Sequence, residues 1–227
     1  MRRAAPFAGA AATITSNATP APITERQAAE ENWSPVAIDD RRCLIYGPRF
    51  GKLYLTSVER LDDKAFRQIV GLPQQPNHAL VDPVERFGWS LGGLRDDMSS
   101  RAAWRMRLAY RLLHNSRHLL PFRLSAKLIR LAAGPAARRS PGEESQIEAI
   151  ARAVAATERA VGFSDCYPRT LLSAWLALTA GQPCVVAIGV LAPTRKMHAW
   201  CTIAGVLPFE PTAEHYLYQP AWTLTLS

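Results

Sequence analysis

The pattern of apolar and polar positions marks three short stretches, Val36–Ile38, Cys43–Tyr46 and Lys52–Thr56, as strands, each bounded by polar and turn-forming residues. Asp39-Asp40-Arg41 and Gly47-Pro48-Arg49-Phe50-Gly51 supply the turns between them. Ser57 or Asp62 offers an N-cap for a helix over Asp63–Val70, which Gly71 and Pro73 close. The result is a strand-strand-strand-helix unit, too small to be an enzyme by itself. Residues 1–31, rich in Ala, Thr and Pro and without periodicity, predict a flexible segment, with structure beginning near Trp33.

Beyond a Pro- and Asp-containing connection (73–99), the period changes to that of helices. Trp104, Leu108 and Leu112 recur at i, i+4 and i+8, and predict the apolar stripe of an amphipathic helix whose Arg101, Arg105 and Arg111 lie to other sides. Pro121 interrupts the pattern, and a second short helix runs to about Ala133. Gly134-Pro135 through Ser140-Pro141-Gly142 reads as a linker, followed by a helix over about Glu143–Val161 with Ile147, Ile150, Ala151 and Val154 on one side. Next come an apolar helix opening at Cys166 and a turn at Gly181-Gln182-Pro183. The continuous apolar run Val185–Leu191 has the composition of a strand buried on both faces. A loop, Ala192–Met197, returns the chain to a strand beginning at His198 that turns at Ala204-Gly205. Helix, buried strand and antiparallel return predict an α+β fold with the Cys166 helix packed on a sheet.

Nearly half the residues are hydrophobic (48%), enough for a substantial core, and no window reaches the ~20 apolar residues of a membrane span. The opening Met-Arg-Arg-Ala-Ala-Pro-Phe mimics a secretory signal only in outline, because its apolar part is alanine and proline without a leucine run. The four cysteines, Cys43, Cys166, Cys184 and Cys201, are scattered and form no Cys-x-x-Cys pair. That spacing disfavours a metal site or a disulfide framework and fits a reducing cytoplasm. The net charge of +8 is concentrated, since residues 95–139 hold eleven Arg and Lys against Asp96 and Asp97. Such a stretch attracts nucleic acid, an anionic membrane or an acidic protein, or is simply a solvated helix face. It contains no helix-turn-helix, so nucleic-acid binding explains less of the chain than the chemistry around Cys166.

Cys166 stands at the head of an apolar helix, where the positive end of the helix dipole favours a thiolate. Ser164 or Asp165 is placed to cap that helix, Pro168 falls in its first turn, and Leu171, Leu172, Trp175 and Leu176 anchor it. His198 is the candidate base for an activated thiol nucleophile. The third member depends on the hairpin register after Ile203. A two-residue turn at Ala204-Gly205 places Pro211 opposite His198, whereas a three-residue loop including Val206 brings Glu210 to His198's face, diagonal to it. The second register and Glu210 are expected, with Asp165 and Glu214 as alternatives. The Cys166 backbone N–H is a candidate oxyanion donor.

Ser164-Asp165-Cys166, Ala187-Ile188-Gly189-Val190 and His198-Ala199-Trp200, with 32 positions from cysteine to histidine, resemble the B proteins of lasso-peptide biosynthesis over about residues 143–215. The resemblance implies a transglutaminase- or papain-like cysteine protease domain that removes the leader of a ribosomally made precursor peptide. In that family an aspartate follows the histidine by twelve positions, and here that place is Glu210, a departure. The segment Ala37–Leu72 is similar to the small winged-helix-like precursor-recognition domains of such pathways, which take up a leader as an added strand. That likeness implies a leader groove lined by Leu53, Tyr54, Leu55, Phe66 and Ile69, although a small hydrophobic core is the better account of at least half of them. The expected organisation is a flexible 1–31, a leader-recognition domain over 32–98, a basic helical connection and linker over 99–142, and a protease domain over 143–227. The family works with an asparagine-synthetase-like cyclase that uses ATP. This sequence has no phosphate-binding Gly-x-x-x-x-Gly-Lys-Ser/Thr loop, so any ATP requirement falls to that partner, for which the basic region is a candidate dock. A non-catalytic binding protein and an acyl transferase of transglutaminase type are the competing readings.

Overall fold

The computed structural model describes residues 30–72, 100–134, 144–209 and 217–227. Of the segment 1–31 expected to be flexible, residues 1–29 lie outside the described residues, as do the connection 73–99, the linker over 135–142, and Glu210 and Glu214, while Glu31 already belongs to an ordered strand. The elements are β1 (Glu31–Trp33), β2 (Val36–Ala37), β3 (Arg42–Gly47), β4 (Lys52–Ser57), a 3-10 turn, α1 (Lys64–Val70), α2 (Ser100–Ser116), α3 (Phe122–Ala133), α4 (Glu144–Val161), α5 (Cys166–Thr179), β5 (Cys184–Leu191), β6 (Lys196–Ile203) and β7 (Gln219–Leu226). The fold is therefore α+β, with two antiparallel sheets in the orders β1-β7-β5-β6 and β2-β3-β4.

The small unit forms as its pattern dictates. Asp63, one residue beyond the predicted cap, accepts from the Ala65 and Phe66 amides at 2.8 and 3.2 Å, and Gly71, at φ 75°, ends α1 in the left-handed conformation. Strand β4 is an edge of its sheet.

The four-stranded sheet contains two strands the sequence reading did not assign. β7 alternates Trp222, Leu224 and Leu226 with Thr223 and Thr225, and lies between β1 and β5. β1 pairs Glu31 with Leu224 and Trp33 with Trp222. It is also tied to α3, since Glu31 meets Arg123 and Lys127 at 2.9 Å each and Glu30 meets Arg130 at 3.0 Å. These cations of the basic stretch thus have intramolecular partners. β5 is central, flanked by β7 and β6, and its near-complete burial explains the unbroken apolar run.

Segment 99–142, read from sequence as a connection, carries α2 and α3, and both pack against α5. On α2 the buried face is not the expected one. Trp104, Leu108 and Leu112 are exposed, at 60%, 43% and 60%, while Met106 and Tyr110 are buried. The two stripes are offset by two residues, about 200° around a helix. Tyr110 and His114 make the polar contacts that bind α2 to the start of α5, and these fix which face turns inward. One apolar cluster runs from Val36, Leu44 and Tyr46 of the small sheet through Phe122 and Ile129 of α3 to Leu171, Val186 and Trp222. Among the described residues, no helix is long and apolar enough to cross a membrane.

Candidate active site

The first turn of α5 is built to hold Cys166 in place. Asp165 is extended (φ −144°, ψ 131°), and its Oδ1 accepts from the Tyr167 amide at 3.0 Å. Pro168 occupies the first turn, where its missing N–H costs no helical hydrogen bond. Leu171, Leu172 and Ala174 are fully buried, which anchors the helix along its length.

A polar cluster from α2 and α4 closes around this helix start. His114 Nδ1 lies 2.8 Å from Asp165 Oδ2, and Arg117 bonds the same oxygen. The Tyr110 hydroxyl accepts from the Asp165 amide at 2.9 Å and donates to Glu158 at 2.6 Å. Arg169 in turn donates to both Glu158 oxygens at 3.0 Å each and to Ser164 Oγ. Burial, and then the bond to Glu158, push the Tyr110 hydroxyl well above the usual tyrosine range. Asp165 is thus engaged through both oxygens at the helix N-terminus, as the cap and ion-pair partner, and not displayed as a third catalytic group. Sequence reasoning missed Tyr110, His114, Arg117 and Glu158 because 48 to 55 residues separate Tyr110, His114 and Arg117 from their partners.

Cys166 is the half-buried one among four free cysteines; Cys43, Cys184 and Cys201 are buried. Burial pushes the Cys43 thiol up, and the neighbouring Cys184 together with burial pushes Cys201 well up. Because thiolate and access both govern alkylation, native protein is expected to take up one equivalent of iodoacetamide at Cys166, at least about tenfold faster than at the other three. Peptide mapping by mass spectrometry reads this directly, and equal labelling of Cys201 would contradict the described burial.

His198 lies on β6 directly opposite Gly189 of β5. Its ring stacks on Trp200 (centroids 6.2 Å apart, 23° between planes) and lies 5.1 Å from the Tyr218 ring. Gly189 makes this grouping possible. A Cβ there would stand 2.4 Å from the Trp200 ring and 3.1 Å from Tyr218 Cβ. The β5–β7 register also slips between Ile188 and Gly189, the kind of irregularity that redirects side chains near a site. Gly189→Ala is therefore expected to destabilise the fold by about 1–3 kcal/mol by overpacking and to displace the Trp200 and His198 rings. Thermal melting and the His198 imidazole signals in NMR check both parts, and unshifted imidazole signals would sink the packing argument.

Cys166 and His198 line one cleft of about 400 Å³, within the size range of small-ligand sites. Arg117 through Phe122, the α2–α3 connection and the start of α3, form one wall, and Tyr46, Phe50 and Gly51 of the β3–β4 hairpin close another. The register argument for Glu210 does not survive. Ile203 and Val206 exchange backbone bonds at 2.8 and 2.9 Å, so Ala204 (φ 48°) and Gly205 (φ 82°) form a two-residue turn and not the three-residue loop. Pairing is a single bridge at that point, so neither strand register extends beyond it. Leu207 and Phe209 turn into the protein interior instead. Of the groove residues, Phe66 is buried, Leu53 and Tyr54 pack partly buried against the core, and Leu55 and Ile69 are exposed at 46% and 50%. The described residues contain no group of three or more His, Cys, Asp or Glu that could hold a metal ion.

The family model described as the Transglutaminase-like superfamily matches residues 100–223, more than half of the chain. No curated protein and no solved structure matches it. The match takes in α2 and α3 as well as α4, α5 and the strands carrying Gly189, His198 and Trp222, so the helices around the Asp165 cap fall within the same matched region as the helix that opens at Cys166. A half-buried thiol at a helix start and a histidine on the neighbouring sheet, sharing a cleft, are what a cysteine protease or acyltransferase of this kind requires, and the chain belongs to the transglutaminase-like superfamily.

Proposed function

We propose that this protein is the leader peptidase of a lasso-peptide pathway, hydrolysing the bond between leader and core of a ribosomally made precursor. The observation that carries the reading is the shared cleft. Cys166, half-buried at the N-terminus of α5, and His198, on β6, both line it, beside a three-stranded unit with β4 at its edge.

The Cys166 thiolate attacks the scissile carbonyl carbon, and the Cys166 backbone N–H stabilises the resulting oxyanion. His198, protonated on accepting the thiol proton, gives that proton to the leaving amine of the core as the peptide C–N bond breaks. The same imidazole then takes a proton from water, which attacks the thioester and releases the leader as a carboxylic acid. Glu210 is the proposed orienting group for His198, by the resemblance alone.

Recognition of the leader is assigned to the edge of β4, where an extended peptide adds a strand. Exposed Leu55 and Ile69 supply apolar contacts, and Leu53, Tyr54 and Phe66 support the groove from inside. Holding the leader in the same chain raises the local concentration of the cleavage site at Cys166. An asparagine-synthetase-like cyclase is the proposed partner, with any ATP requirement belonging to it. The test is incubation of the purified protein with its cognate precursor, followed by mass spectrometry. Leader and core fragments whose masses sum to precursor plus one water support hydrolysis. An amine adduct of the leader instead assigns the acyl-transfer reaction, and an intact precursor, with or without the cyclase, rejects the reading.

A further inference from the structure

The cleft has a wall that the leader-binding role of the small unit does not explain. The turn of the β3–β4 hairpin reaches the catalytic groups: Phe50 and Gly51 line the same cleft as Cys166 and His198. Gly51 sits at φ 65° against the α2–α3 connection, and a Cβ there would lie 3.6 Å from Pro121 Cα and 3.8 Å from the Tyr46 hydroxyl. That turn leaves Phe50 at the cleft, 40% exposed, with the Arg49 guanidinium 5.4 Å over its ring. Leu119 of the α2–α3 connection is 82% exposed and Met197 of β6 is 46% exposed, and both line the cleft as well. Three large apolar side chains from three separate segments thus stand partly in solvent around one reactive thiol. Nothing in the packing of the core requires them there.

We propose that Phe50, Leu119 and Met197 form an apolar subsite, so that the small unit selects the residue beside the scissile bond as well as holding the leader. The substrate this favours is an acyl segment with a large aliphatic or aromatic side chain next to the bond attacked by Cys166. An acidic or small polar side chain there would leave the three apolar groups wet and gain nothing from them. This rests on the proposal that Cys166 is the nucleophile, and it extends that reading to a substrate class.

The test uses the full chain and two leaderless dipeptidyl vinyl sulfones, one with leucine and one with aspartate at the position next to the electrophile. The thiolate adds across the vinyl group, and the adduct retains every atom of both reactants. Each labelling rate at Cys166 is divided by that for iodoacetamide, which corrects for changes in the thiol itself. Wild type is expected to favour the leucine probe by about tenfold or more. Phe50→Ser and Leu119→Ser, both at exposed positions, are each expected to lower that ratio about threefold or more, and the double variant to bring it close to one. A hairpin that served only to hold a leader would leave leaderless probes untouched. No preference in wild type, or an unchanged ratio in both single variants, overturns the subsite. A leucine preference in a protein that does not hydrolyse its precursor upholds the subsite and removes the peptidase reading.

Discussion

Cys166→Ala is expected to lower precursor cleavage by at least about a thousandfold, while leader affinity and thermal stability stay close to wild type. The separation of these effects follows from where the sulfur sits. The helix is capped by Asp165, whose Oδ1 bond to the Tyr167 amide involves no atom of the Cys166 side chain. Cys166 is half-buried, so removing its sulfur opens little new cavity. Nothing structural therefore compensates for, or disguises, the loss of the proposed nucleophile. His198→Ala is expected to cost a comparable factor, and the double variant little more than either single change, because groups that act as one unit lose their effect together. Cleavage time courses by mass spectrometry, beside leader titrations by fluorescence anisotropy, give both readouts. Appreciable cleavage by the alanine variant would show that another group attacks the carbonyl.

What was legible in the sequence was local. The short apolar run Cys43–Tyr46, the cap-and-proline start of α5 and the unbroken apolar β5 each follow from residues within a few positions of one another, and each element lies where the pattern places it. What was not legible depended on partners far away in the chain. The stripe Trp104, Leu108 and Leu112 satisfies helical periodicity, yet α2 presents Tyr110 and His114 inward because Asp165 and Glu158 are there to receive them. Hydrophobic spacing alone cannot weigh a buried hydrogen-bond network against an apolar stripe. The Glu210 register failed for a different reason. Ala204 takes a left-handed conformation that its identity does not advertise, and this tightens the turn by one residue. The elements carrying Cys166 and His198 were readable because a thiol at a helix start and a histidine on a following strand are properties of single segments. The cluster that fixes their surroundings was not.

The continuity of the core leads to the other large effect, which concerns stability. Trp222 is 1% exposed on β7, pairs across the strands with both Trp33 and Ile188, and its ring lies 5.9 Å from Tyr46 and 6.0 Å from Phe122. It therefore joins the four-stranded sheet to the small sheet and to α3 through a single side chain. Trp222→Ala is expected to destabilise the protein by about 3–5 kcal/mol, since a large aromatic cavity lies between elements that cannot all collapse into it. For a chain of this size that corresponds to a fall in Tm of roughly 6–20 degrees. Trp222→Phe is expected to cost much less. It keeps most of the ring volume and removes an indole N–H that has no acceptor among the described residues. Because the apolar cluster spans both sheets, wild type is expected to unfold in one transition by tryptophan fluorescence and far-ultraviolet circular dichroism, with coincident midpoints. Two separated transitions, or an alanine variant as stable as the phenylalanine one, would mean that the small unit folds apart from the four-stranded sheet. In that case the hairpin carrying Phe50 could not be held against Cys166 with the constancy a shared cleft demands.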